Sequence, residues 1–131
     1  MEEDDTIFYF GFDGDATGEY LEIAFGDLPE DELEVIERSQ KISDAINQLK
    51  WIICKTTKDK DSVLFAQGDN LLFKAPYRNS LIGDIQARYK DLTGLDSSIG
   101  FGRTLKESTI ALRLAKSQPG DSVIGISIQK P

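Results

Sequence analysis

Two acidic positions are candidates for chemistry: Asp13, at the end of the apolar run 7–12, and Asp69, inside the tetrapeptide Gln67-Gly68-Asp69-Asn70. The 131-residue chain holds no histidine and one cysteine, which removes the commonest general base, the commonest zinc ligand and any multi-thiolate site. Carboxylate chemistry, a hard oxygen-seeking cation, or binding alone is left. Carboxylates from separate elements suit Mg²⁺ (or Mn²⁺), an ion that keeps several waters and takes few protein ligands beside substrate phosphates. Cys54 lies in an apolar helix-like stretch and reads as a small buried hydrophobe rather than a nucleophile.

The elements that must position the two carboxylates can be read from the pattern around them. Residues 7–12 carry no charge and fit a strand covered on both faces, which presents its chemistry at the carboxyl end. Asp13 sits at that end. Gly14 lets a ligand approach the backbone, and Asp15, Ala16, Thr17 and Gly18 offer amides and a cap where a short helix over 16–25 begins. By itself this is weak, because an Asp after a core strand is commonly just a turn former. The stretch 62–74, SVLFAQGDNLLFK, strengthens it as a hairpin whose tip brings Asp69 beside Asp13.

Around this pair the sequence predicts a framework. Pro29 opens a long helix with Glu30, Asp31 and Glu32 in its first turn, and Leu33, Ile36, Ile42, Ala45, Ile46, Leu49, Ile52 and Ile53 form a stripe towards the sheet. Residues 55–61 read as a solvated loop. Leu81, Ile82, Ile85, Tyr89 and Leu92 mark a second helix ending near Gly94, and 97–103 a strand in which Ile99 and Phe101 alternate with glycines, as where backbone or ligand comes close. Thr104 and Glu107 make a capping box for a helix with Lys116 in its last turn, and a final strand covers 122–129. The order β, short α, long α, β, β, α, β, α, β implies a mixed, mainly antiparallel sheet covered on one face by helices, a ferredoxin-like α+β arrangement. One domain over 1–131 is expected, with 1–5 an unstructured acidic tip.

Composition bounds the partners. The chain is 40% hydrophobic and 29% charged, ordinary for a soluble globular protein, and no run approaches the roughly 20 apolar residues of a membrane span. With no signal-like leader either, a cytoplasmic location is expected. A net charge of −8 argues against duplex nucleic acid as a partner, while nucleotides carrying their own metal are compatible.

The stretches FDGDATG (12–18), QGDN (67–70), SSIGFGRT (97–104) and ALRLAKSQPGD (111–121) together resemble the palm of GGDEF diguanylate cyclases and of the CRISPR polymerase subunit. At this size the chain is most similar to the stand-alone minimal CRISPR polymerase (mCpol) family, over residues 7–129. The resemblance implies a palm fold in which Asp13, Asp69 and the Gly14 carbonyl hold the metal. It also places Gly68 where room is left for a nucleotide, Ala16 and Thr17 where amides meet triphosphate oxygens, and Lys116 where a lysine neutralises them. Asp15, Gly18 and Asn70 join the substrate contacts. Three positions depart from the pattern: Gln67 and Asn70 replace the first and fourth residues of the signature, and Gly120 replaces a phosphate-binding arginine. Asp15 is the candidate to compensate at a second metal position.

The implied activity is condensation of nucleoside triphosphates, ATP favoured because the guanine-reading pattern is unmatched, into a cyclic di- or oligonucleotide signal for antiviral defence, with release of pyrophosphate. Cyclisation implies a homodimer or higher homo-oligomer. Asn70, Arg78 and Asn79 are the candidates to read the base. Two alternatives stay open: a hydrolase like GTP cyclohydrolase III, which joins two palms where this chain has one, and a degenerate palm that only senses nucleotide.

Overall fold

The computed structural model describes residues 4–17, 20 and 32–128. Within them run β1 (Ile7–Gly14), α1 (Glu32–Thr57), β2 (Val63–Gln67), β3 (Asn70–Pro76), α2 (Asn79–Thr93), β4 (Ser97–Gly102), α3 (Leu105–Lys116) and β5 (Ser122–Gly125). The short helix expected over 16–25 and the Pro29-led start of α1 fall largely or wholly outside the described residues. The sheet has the order β2-β3-β1-β4-β5, with β1 antiparallel to β3 and β4, β2 antiparallel to β3, and β4 parallel to β5. This is the mixed, mainly antiparallel palm-like α+β sheet that the pattern implies. Among the described residues no helix is long and apolar enough to cross a membrane.

Alternation along β1 builds two different faces. Phe10 and Phe12 point into a core made with Ile46, Leu49 and Ile53 of α1 and Leu81, Ile85 and Tyr89 of α2. Phe10 stacks on Phe73 of β3 with ring centroids 4.9 Å apart, and Phe12 meets Tyr89 edge to face at 5.1 Å. The opposite face carries Gly11 and Asp13. There Gly11 pairs in register with Gly100 of β4, and α3 lies against this strip. Helices therefore cover both faces rather than one. The glycine alternation in β4 marks a close approach, as expected, and what approaches is the helix: a Cβ on Gly100 would run into the backbone of Ala111 and Leu112.

Local signals hold at the element ends. Gly94 closes α2 in the left-handed conformation (φ 77°), its N–H donating to the Lys90 carbonyl at 2.7 Å. Thr104 caps α3 by accepting the Glu107 N–H at 3.1 Å. Two expectations are corrected. Leu33 and Ile36 are 71% and 59% exposed rather than part of the buried stripe, because 26 helical residues extend about 39 Å and the 15-residue α2 on which α1 chiefly packs only about 22 Å, so one end of α1 outruns its partner. The last strand ends at Gly125, not 129. Beyond it the Ile128 N–H donates to the Glu107 carboxylate at 2.6 Å, which pulls the chain off the sheet towards the start of α3 and holds that carboxyl below its ordinary pKa. Cys54 is half-buried, close to its expected place.

Two alanine substitutions separate these environments. Gly100→Ala should lower the unfolding free energy by about 3 kcal/mol, since helix backbone must shift to admit the methyl group. Gly83→Ala, on an open side of α2, should raise it by about 0.5–1 kcal/mol. Urea denaturation of both variants checks the contrast.

Candidate active site

Asp13 ends the central strand, flanked in register by Asn70 on β3 and Ser98 on β4. The β2–β3 connection is the two-residue turn Gly68-Asp69, and Gly68 has the positive φ of 59° that the first central position of a II′ turn demands. The Gly14 N–H donates to the Asp69 carbonyl at 3.2 Å, which ties the hairpin tip to the strand end. The expected meeting of the two carboxylates is thus built by a strand end and a turn. Burial pushes the Asp13 carboxyl above its ordinary pKa, the Lys116 ammonium opposes that shift, and the charge of Asp69 adds to it.

Helix α3 supplies the cation. Lys116, in its last turn, places Nζ 2.7 Å from Asp13 Oδ2. The Thr17 hydroxyl donates to Asp69 Oδ2 at 2.6 Å and lies 3.5 Å from the Gly14 carbonyl oxygen. Asp13, Gly14 and Asp69, the three donors assigned above to a metal, are therefore the residues now engaged by one ammonium and one hydroxyl. Among the described residues no group of three or more His, Cys, Asp or Glu side chains converges as a metal site. Two carboxylates and a carbonyl are the hard donors, and about the number, that Mg²⁺ accepts when substrate and water complete its shell. The residues present fit such an ion.

Ala16 lies in the same loop with φ 54°, a left-handed conformation that is uncommon for a residue with a side chain. Within a turn, this conformation gathers successive N–H groups into an anion-binding concavity. Asp15 departs from the pair. Its N–H donates to the Asp96 carbonyl at 2.9 Å and its carboxylate accepts the Ser98 hydroxyl at 2.8 Å, so in this structure it is occupied on the β4 side. Gly68 and Asn70 sit at the hairpin tip, and Gly18 lies outside the described residues. Arg78 and Asn79 lie beyond Pro76, at the far end of β3 from Asn70, about 20 Å of strand away, where Arg78 bonds Asp5 Oδ1 at 2.6 Å. They do not belong to this site. Gly120, with φ 73°, is a turn residue before β5.

Sequence reasoning placed Tyr89 only on the core stripe and missed its hydroxyl. The ring is fully buried, its oxygen makes no hydrogen bond of good geometry among the described residues, and a Cβ on Gly14 would collide with it. Burial pushes this phenol up to about 12, with the charges of Asp69, Asp13 and Asp15 acting the same way against the nearby Thr17 hydroxyl. A tyrosine on a core stripe is itself a signal, since its O–H needs a partner at the end of an apolar ring. Gly14 is thus required by the packing beneath it.

The family model described as mCpol, minimal CRISPR polymerase domain, matches residues 9–126. That span contains Asp13, the hairpin, α3 and Lys116. Comparison with curated proteins gives no match.

The raised pKa of Asp13 has a sign that can be measured. Its folded-state value lies above the ordinary carboxyl value of 3.8, so the ionised carboxylate costs the native state stability at neutral pH, and that cost disappears below the unfolded pKa. Asp13→Asn should therefore raise the thermal midpoint of the cation-free protein at pH 7. The difference from wild type should shrink as the pH falls towards 3.8 and below.

Proposed function

The chain belongs to the minimal CRISPR polymerase family, a membership that implies a polymerase- or nucleotidyltransferase-type role, and from that premise we propose that it condenses nucleoside triphosphates into a cyclic di- or oligonucleotide. The observation that carries this reading is the pairing of Asp13 with Asp69 under the Lys116 ammonium, beside a loop with a left-handed Ala16. A Mg²⁺ or Mn²⁺ ion held by Asp13, Asp69 and the Gly14 carbonyl would supply charge neutralisation and Lewis acidity at the phosphates.

The chain's own residues do the rest. The backbone amides at Ala16 and Thr17 bind triphosphate oxygens, and Lys116 exchanges its contact with Asp13 for one with phosphate. Thr17 would release the Asp69 carboxylate to hold the ion. A ribose hydroxyl oxygen attacks the α-phosphorus and a new P–O bond forms. The bond from that phosphorus to the α–β bridging oxygen breaks, pyrophosphate leaves with the electron pair, and the hydroxyl proton passes to water. With no histidine in the chain, positioning and charge neutralisation supply most of the rate. One such site holds one triphosphate, so ring closure draws on a second copy facing it, and the working unit is a homodimer or larger homo-oligomer. ATP is the preferred substrate and a cyclic oligoadenylate the product. A role in antiviral defence fits such a signal.

Purified protein incubated with each labelled triphosphate and Mg²⁺ or Mn²⁺ tests the reading, with pyrophosphate measured and products separated by mass. Asp13→Ala and Asp69→Ala should each abolish turnover while the fold persists, and full activity in either sinks the site. Lys116→Met should raise the Michaelis constant for triphosphate about tenfold, the worth of one charge-assisted contact to phosphate. In an equimolar mixture of ATP and GTP, adenine should dominate the cyclised product. An excess of guanine overturns the substrate assignment and leaves the site standing. Base release or ring opening without pyrophosphate would instead indicate hydrolysis, and binding without products a sensor.

A further inference from the structure

A second feature lies on the same face of the sheet as Asp13. The glycine strip is covered by α3 on the β4 side only, and on the β3 side an apolar groove of about 220 Å³ stays open, floored by Gly11 and walled by Phe65, Leu72 and Leu112. Phe65 is 45% exposed. Its place there is set by a bulge in β2. Val63 pairs with Phe73, but after the register shift Phe65, not Leu64, stands opposite Leu72, which in turn pairs with Gly11. One inserted residue thus turns an aromatic ring onto the face that bears Asp13, a use of bulges that recurs beside active sites.

The groove adjoins the carboxylate site along two elements. Gly11 precedes Asp13 by two residues on one strand face, about 7 Å. Leu112 precedes Lys116 by four residues on one helix face, about 6 Å. Asp13 therefore lies between two compartments: the loop with Ala16 and Thr17 beyond the strand end, and the groove behind it. At the groove's edge the exposed Thr109 hydroxyl donates to the Leu105 carbonyl at 3.0 Å, so it presents only lone pairs outward, while the buried Ser108 hydroxyl bonds the same carbonyl at 2.8 Å. Asn70 adds a side-chain amide.

We propose that this groove is the acceptor subsite, which seats the nucleoside presented by the facing copy, whose ribose hydroxyl attacks while this chain's own triphosphate occupies the loop. A transfer reaction needs one nucleoside on each side of the reacting phosphorus. An apolar slot with an exposed aromatic wall suits a planar base, and an outward-facing acceptor suits a ring-amino or ribose-hydroxyl donor. The proposal rests on the nucleotidyltransferase reading above.

The test uses adenosine, which has no phosphate, as the probe, with leucine-methyl NMR of the full chain. Adenosine should shift the methyl signals of Leu72 and Leu112, and magnesium pyrophosphate should not. Phe65→Ala should weaken adenosine binding about tenfold, the worth of one stacked base. Thr109→Trp, which plugs the groove from an exposed position, should abolish it, and both variants should keep the wild-type affinity for pyrophosphate. Asp13→Asn should weaken pyrophosphate binding and leave the adenosine shifts in place. Adenosine that shifts neither leucine, or binding that Phe65→Ala and Thr109→Trp leave unchanged, overturns the subsite. Unchanged turnover in the Asp13 and Asp69 variants would overturn the nucleotidyltransferase reading instead, without altering the adenosine result.

Discussion

Helix α3 can lie against β1 and β4 only because the registered positions Gly11 and Gly100 present no side chain to it. A helix seated one methyl group further out would carry Lys116 away from Asp13, and the 2.7 Å ion pair that neutralises the strand-end carboxylate would open. That close approach sets the local electrostatics. The ammonium opposes the burial and the nearby Asp69 charge that push the Asp13 carboxyl above its ordinary pKa, and without it protonation of Asp13 would be favoured further. The same seating fixes where the sheet stays open, since α3 covers β4 and leaves β3 exposed towards Phe65.

Unfavourable features collect at this end of the sheet. Asp13 is held above its ordinary pKa, Ala16 sits in a left-handed conformation, and the Tyr89 hydroxyl is buried without a well-formed hydrogen bond among the described residues. The left-handed residue and the buried hydroxyl each cost of order a kcal/mol or more, and the raised carboxyl adds to them in the same direction. The opposite face carries the compensation, a continuous apolar core of aromatic and aliphatic side chains from β1, β3, α1 and α2. Strain concentrated where carboxylates, hydroxyl and ammonium converge supports the proposed reading, in which a bound ligand relieves it. A cation on the carboxylates would free both Thr17 and Lys116 from their present partners.

Much of this was legible in the sequence wherever a signal is local. The run before Asp13, the Gly68-Asp69 turn, the apolar spacing of α2, Gly94 at its end and the Thr104–Glu107 box each follow from neighbours within four residues, and the structure places them as read. Tertiary facts were less accessible. Periodicity gave α1 a stripe through Leu33 and Ile36, but only the length of α2 decides how much of it finds a partner. Glycines in β4 announced a close approach without saying from which face. Asp15, one residue past Gly14 and a natural candidate for a second metal position, is taken by Ser98, a contact across 83 positions of chain. Arg78 and Asn79 had suitable chemistry for a base, yet they follow β3 at the end remote from Asp13, which composition cannot reveal.

The division of the α3-side face into a covered and an open half also bears on why a bulge sits in β2. An edge strand gains little from a bulge in packing, since β2 is largely exposed and its side chains contribute little to the core. Without the extra residue Leu64 would oppose Leu72, and an aliphatic side chain would border Gly11 where an aromatic ring now stands. The bulge also twists the edge and discourages pairing with another sheet, but that need would be met by any interruption at any point along the strand. Its position, in register with Gly11 and two residues short of the level of Asp13, is what a requirement for a flat wall beside the carboxylates predicts.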